Sequence, residues 1–177
     1  MKATFLVLFA ALLIGCDADT PAYSDADKEP GMFWKSQKKT YVISSPMDGT
    51  LMKDGKPLAH TKIIRRLRWN GNEDGVVHEF MTDIQGRFSF PAHEEELSLG
   101  RLTQFVSSTK LEAEIEGQHF DMWYNNKFEP HMYAETGGRR LDGLICDISN
   151  GKQGIDLELS RITTICRWTG MPEESEY

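Results

Sequence analysis

Between residues 61 and 69 the chain alternates. Thr61, Ile63, Arg65, Leu67 and Trp69 fall on one side of an extended backbone, and Lys62, Ile64, Arg66 and Arg68 on the other. That is the two-residue period of a strand. Residues 76–81 repeat it, with Val76, His78 and Phe80 opposite Val77, Glu79 and Met81, and the intervening NGNEDG has the composition of a hairpin turn. The same grammar continues downstream. DIQG (83–86) turns into RFSF, where Phe88 and Phe90 share a face and Pro91, lacking an amide hydrogen, ends the ladder. KLEAEIE places Leu111, Ala113 and Ile115 inward and Glu112, Glu114 and Glu116 outward. HFDMWY follows, then an irregular stretch over 125–140; LICDIS and IDLELS flank NGKQG, and ITTICRW closes the pattern. Residues 94–104 read as a short helix. About seven to nine strands at these spacings predict an all-β fold, an antiparallel β-sandwich occupying residues 40–170 as one domain, with a frayed tail over 171–177.

The first residues follow a different pattern. Lys2 precedes an uncharged run over 3–14 that ends in Gly15 and Cys16. A positive start, a short apolar middle and a small residue before the break describe a signal peptide, here residues 1–15. Its apolar run is about twelve residues, short of the roughly 20 that span a bilayer as a helix. Leu13, Ile14, Gly15 and Cys16 resemble the lipobox of bacterial lipoproteins, and the resemblance implies that Cys16 carries diacylglycerol and begins the mature chain. The alternative is an ordinary signal peptide with a coincidental cysteine. Asp17 resembles the signal that retains enterobacterial lipoproteins in the inner membrane, with the outer membrane as the alternative. From residue 16 to 39 the sequence is rich in Asp, Ser, Pro, Lys and Gly, as a solvated tether would be. Met32, Phe33 and Trp34 interrupt it, either to dock its end on the domain or to meet a partner.

Cys16 also changes the cysteine arithmetic. Three cysteines occur, and lipidation of one leaves Cys146 and Cys166. A pair in an exported chain reads as a disulfide, with two reduced thiols or a redox pair as competitors; the spacing is not that of Cys-x-x-Cys. Removal of the leader takes Lys2 with it, so 20 basic residues become 19 against 27 acidic ones, and the formal charge goes from −7 to −8. An acidic chain repels phosphate backbones and anionic headgroups, so nucleic acid is not a partner and the lipid must supply membrane binding.

SPMDGTLMKDGKPLAHTKI followed by FMTDIQGRFSFP resembles the carboxypeptidase-regulatory-like, or transthyretin-like, β-sandwich over about 45 residues, 45–91. Gly55 and Pro57 set a turn between strands, Asp83 caps the tight turn that Gly86 permits, and Phe88 and Phe90 fill the core. The stretch 125–140 and the cysteine pair depart from that pattern. Together with the leader, this pattern resembles a group of bacterial lipoproteins of unknown function with such a domain. Such domains mostly lack catalysis of their own, which implies a binding, spacer or assembly role.

Candidate chemistry is sparse. His60, His78, His93, His119 and His131 raise a metal reading, for which His119 and His131, near Asp121, Met122 and Met132, are the weak candidates. Alternation sends His119 and Asp121 away from Met122, so no metal and no cofactor is assigned. Trp123, Tyr124, Phe128 and Tyr133 form an aromatic concentration of the kind interface cores favour, and make residues 123–133 the candidate surface for another envelope protein. Arg65, Arg66 and Arg68, with Arg139 and Arg140, are read as solvated strand-face cations paired with nearby glutamates. No Gly-x-Ser-x-Gly, Walker loop or His-Glu-x-x-His occurs, so catalytic residues are assigned to none. The leading expectation is a non-catalytic, lipid-anchored module of the envelope facing the periplasm; the alternatives are ligand or metal capture near 119–133 and a hydrolase assembled from scattered residues.

Overall fold

The computed structural model describes residues 37–158 and 160–173. The expectations placed on the leader, Cys16, Asp17, Met32 to Trp34 and the end of the tail lie outside the described residues. The chain divides into two units, residues 1–34 and 35–177. The second unit is built of strands: β1 (Lys39–Ser44), β2 (Met47–Lys53), β3 (Lys56–Pro57), β4 (Lys62–Trp69), β5 (Asn72–Met81), β6 (Arg87–Phe90), β7 (His93–Leu97), β8 (Ser107–Ile115), β9 (Gln118–Lys127), β10 (Ile145–Asp147), β11 (Gln153–Leu157), β12 (Ser160–Thr164) and β13 (Cys166–Arg167), with a 3-10 turn at Ala134–Thr136.

Six strands form one sheet in the order β11-β12-β9-β8-β4-β5. A second sheet runs β13-β10-β2-β3, with β6 also on β2, and β1 pairs with β7. Every pairing is antiparallel except β10 with β2. The result is the predicted all-β sandwich. Its core follows from the alternation: Ile63 of β4, Phe88 and Phe90 of β6, Leu111 of β8 and Ile162 of β12 turn inward with Met122, Trp123 and Ile155. A second cluster gathers Ile43, Leu67, Trp69 and Phe105. Each such side chain contributes roughly 1.5–3 kcal/mol by leaving water.

The turn chemistry is as the residue types demand. Met52 pairs with Pro57 and Lys53 with Lys56, so Asp54 and Gly55 form a two-residue loop, both with positive φ, 51° and 73°. Asp83 accepts hydrogen bonds from the amides of Gln85 (2.8 Å) and Arg87 (2.9 Å), and Gly86 takes φ 72°. Cys146 and Cys166 form the disulfide, opposite each other on β10 and β13.

Four local expectations are corrected. Residues 94–104 hold no helix: residues 93–97 are β7, and the rest is turn and coil. Their glutamates favour helix in isolation, but His93, Glu95 and Leu97 face inward opposite exposed Glu94 and Glu96, and pairing with β1 decides the state. The turn expected over 70–75 is shorter, since Trp69 pairs with Asn72 and the extra residues 73–75 form an irregularity in β5. NGKQG does not close a hairpin; β10 lies on β2 and β11 on β12, so it carries the chain from one sheet to the other. Arg65 is not solvated, with a relative exposure of 2%, because it shares the inward side with Leu67. Glu112 keeps the outward place expected of it and is covered there, 8% exposed, by Arg66 and Lys110.

Candidate functional site

The irregular stretch after β9 is fastened to the sandwich by a buried ion pair. Lys127, the last residue of β9, meets Glu135 in the 3-10 turn at 2.8 Å. Ser45, between β1 and β2, completes the group. Its amide donates to Glu135 Oε1 (2.8 Å) and its hydroxyl to Oε2 (2.9 Å). The same hydroxyl accepts from Lys127 Nζ (3.3 Å) and from the amide of Tyr133 (2.7 Å). Burial pushes the Lys127 ammonium below the ordinary lysine value, and Glu135 opposes that shift. Further bonds hold the stretch at both ends. Val42 donates its amide to the Pro130 carbonyl (3.1 Å), Ser160 its hydroxyl to the Glu135 carbonyl (2.9 Å), and Arg140 pairs with Asp48. Tyr133 is held in the left-handed region, φ 61°, a conformation a non-glycine residue keeps only where its surroundings impose it.

Ser45 beside Lys127 has the composition of a nucleophile and a base. Its one proton is directed at Glu135, however, and both acceptor positions are filled by Lys127 and Tyr133. The arrangement is a joint between chain segments.

On this joint stand the aromatic residues that the sequence singles out. Trp123 is corrected from a contact residue to a core one: it is 1% exposed and its indole N–H donates to Asn125 Oδ1 at 2.8 Å. The cause is a bulge in β9. Leu111 pairs with Trp123 and Glu112 with Asp121, which leaves Met122 as the extra residue and lets Met122 and Trp123 both turn inward. After the bulge the alternation resumes, so Tyr124, Asn126 and Phe128 fall at successive second positions. Tyr124 is 44% and Phe128 38% exposed, Met132 is 39% exposed, and Tyr133 is half-buried. Beside Tyr124 lies an open groove of about 380 Å³, lined also by Lys110, Asp121, Lys152 and Thr163.

Charge on the outer face of the six-stranded sheet is paired within and between neighbouring segments. Lys62 bonds Glu114 (2.9 Å), Arg66 bonds Glu112 (2.8 Å), Lys110 bonds Glu112 (2.9 Å) and Asp121 (2.8 Å), and Lys152 also bonds Asp121 (2.8 Å). The hydrogen bonds from Lys110 and Lys152 hold the Asp121 carboxyl below its ordinary value. His119, at the start of β9, and His131, in the loop, are both exposed. Among the described residues no three His, Cys, Asp or Glu side chains are grouped as a metal site.

Ser45, Lys127 and Glu135 escape a reading of the sequence, because 82 and 90 residues separate Ser45 from its two partners and no local motif links them. A family model described as a domain of unknown function, DUF6795, matches residues 47–151. No curated protein and no solved structure matches the chain.

Proposed function

The chain belongs to the DUF6795 family, and we propose, from its own residues, that it is a lipid-anchored envelope protein whose sandwich binds another envelope protein without catalysing a reaction. The observation that carries this reading is the exposed set Tyr124, Phe128 and Met132 on a stretch pinned by a buried ion pair. Large apolar groups presented on a pre-ordered backbone bind with little further loss of conformational freedom, which is how interface anchors act. The lipobox at 13–16 supplies the membrane anchor, Asp17 favours the inner membrane, and residues 17–38, which precede β1, give the sandwich its reach. Among the described residues no helix is long and apolar enough to cross a membrane. The turn motifs over 45–91 support the finer classification of the sandwich as transthyretin-like.

Two experiments test the two halves. Cys16→Ser is expected to move the protein from the membrane to the soluble periplasmic fraction; retention on the membrane would refute lipidation. In-cell cross-linking of the wild type is expected to trap one defined protein, and Tyr124→Ser with Phe128→Ser to abolish that product at unchanged melting temperature. An unchanged product would refute this surface.

The groove beside Tyr124 supports a second reading, capture of a small polar ligand by an aromatic face flanked by Lys110, Asp121 and Lys152. It predicts a rise in melting temperature with a ligand from a saccharide or amino-acid panel, lost in Tyr124→Ala.

A further inference from the structure

Arg65 is a buried cation whose hydrogen bonds reach no carboxylate among the described residues. It lies on β4, 2% exposed, and its Nη1 donates to the Pro91 carbonyl at 2.7 Å. Its Nε and Nη2 both approach His78 Nδ1, at 3.3 and 3.1 Å. Phe80 and Phe90 flank the guanidinium, 5.2 and 5.8 Å from their ring centroids. Burial lowers the Arg65 value to about 10, which still leaves it charged at neutral pH.

The geometry fixes the chemistry of His78. An imidazole nitrogen that accepts from a guanidinium has no proton, so Nδ1 is bare, Nε2 carries the hydrogen and the ring is neutral. Adding a proton to Nδ1 would aim two donors at each other and set two positive charges in contact. Among the described residues the groups that face His78 offer no compensation. β4 contributes Arg65, β5 itself contributes Phe80, whose ring centroid lies 6.2 Å away, and β7 contributes His93, whose ring lies 5.2 Å away and whose Nε2 is 3.0 Å from Glu95. Glu95 is thus engaged by His93.

His78 sits on β5, which ends the six-stranded sheet and pairs within it only with β4 among the described residues. Its inward side, Val76, His78 and Phe80, is half-buried, while Val77 and Met81 on the other side are 53% and 59% exposed. We propose that the Arg65–His78 contact is an acid-released latch: protonation of His78 breaks it and frees edge strand β5 from the sandwich while the rest of the sheet stays formed.

The direction agrees with the environment of the ring. Burial first, then Arg65 and His93, hold His78 below the ordinary histidine value. The unfolded or opened chain therefore takes up a proton before the closed one does. Closure is favoured fully above about pH 6.5 and weakens as pH falls below that value.

The test is hydrogen exchange of β5 amides against β8 amides in the full chain, corrected for intrinsic rates, with ring ¹⁵N shifts of His78 recorded in the same samples. Between about pH 7.5 and pH 5, β5 protection is expected to drop about tenfold relative to β8, with His78 protonated on Nε2 alone at the higher pH. His78→Gln, which keeps an acceptor for Arg65 and does not titrate, is expected to hold β5 protection constant. A ratio of β5 to β8 protection that stays constant across the range, or a His78 ring bearing its proton on Nδ1 at about pH 7.5, would overturn the proposal whether or not the variant folds. So would a drop that persists in His78→Gln.

Discussion

Lys127 and Glu135 lie 2.8 Å apart with side chains exposed by only 1% and 6%, and Ser45 bonds to both. A buried pair of this kind is costly to form and costlier to break, because the surviving charge has no solvent to turn to. Glu135→Ala leaves Lys127 uncompensated and the Ser45 amide without its acceptor. We expect a loss of about 3–5 kcal/mol in denaturant unfolding. The double variant Lys127→Met with Glu135→Gln removes both charges and keeps an acceptor for Ser45, so its loss should be well below that of Glu135→Ala alone. Equal losses would show that the pair acts through packing and not through charge.

Gly86 and Gly55 give a contrast within one feature of the sequence. Both have φ near +70°, yet a Cβ at Gly86 would stand 2.7 Å from the Leu51 carbonyl oxygen and 3.0 Å from the Leu58 amide nitrogen, while at Gly55 it meets nothing within 4 Å. Gly55→Ala should therefore cost about 1 kcal/mol, the left-handed penalty alone. Gly86→Ala must also push β2 backbone away, and should cost at least about twice as much. Thermal melts of the two variants decide it.

The strands were legible because alternation and turn residues are local signals. Ile63, Leu67 and Trp69 point inward as their period requires, and Asp83 and Gly86 make the turn their types suggest. Register was less legible. Nothing in HFDMWY announces the bulge at Met122, and that one residue turns Trp123 from surface to core. Arg65 was misread for a related reason: its period was right and its charge argued against the answer the period gave. Glu112 points outward as its period requires, but its cover comes in part from Arg66 on another strand, 46 residues away, which no local window shows. The buried triad of Ser45, Lys127 and Glu135 exists only in the folded chain. It therefore left no trace in any window short enough to scan.

Asp147 ties β10 to the turn between β2 and β3. It accepts from the amides of Gly55 (2.7 Å), Ser149 (2.9 Å) and Asp54 (3.1 Å). Burial pushes this carboxyl up, but the hydrogen bonds, led by the Ser149 and Gly55 amides, outweigh it and hold the value below the ordinary one. A lowered folded value means that the stabilisation is present above the unfolded value, about 4, and is lost as pH falls through the folded one. The difference in stability between wild type and Asp147→Asn should shrink as pH drops from about 5 to about 2. A difference independent of pH would show that the ionised carboxylate is not what holds the turn.

Cys146 and Cys166 join β10 to β13 across a separation of 20 residues, a span that carries β11 and β12 in the opposite sheet. On chain-entropy grounds the cross-link removes about 3 kcal/mol of freedom from the unfolded chain. β13 is only two residues long and pairs with β10 alone among the described residues, although the Thr169 amide on the Asp142 carbonyl (2.9 Å) and Trp168 against Trp123 also hold that end. Cys146→Ala with Cys166→Ala should lower the unfolding free energy by about that amount, and should raise the denaturant dependence, since the unfolded chain becomes less compact. Amide exchange should rise first in β13 and β10 and last in β8 and β9, which the sheet holds on both sides. A double variant that loses less than about 1 kcal/mol would mean that the sheet switch at NGKQG already orders this loop before the disulfide closes it.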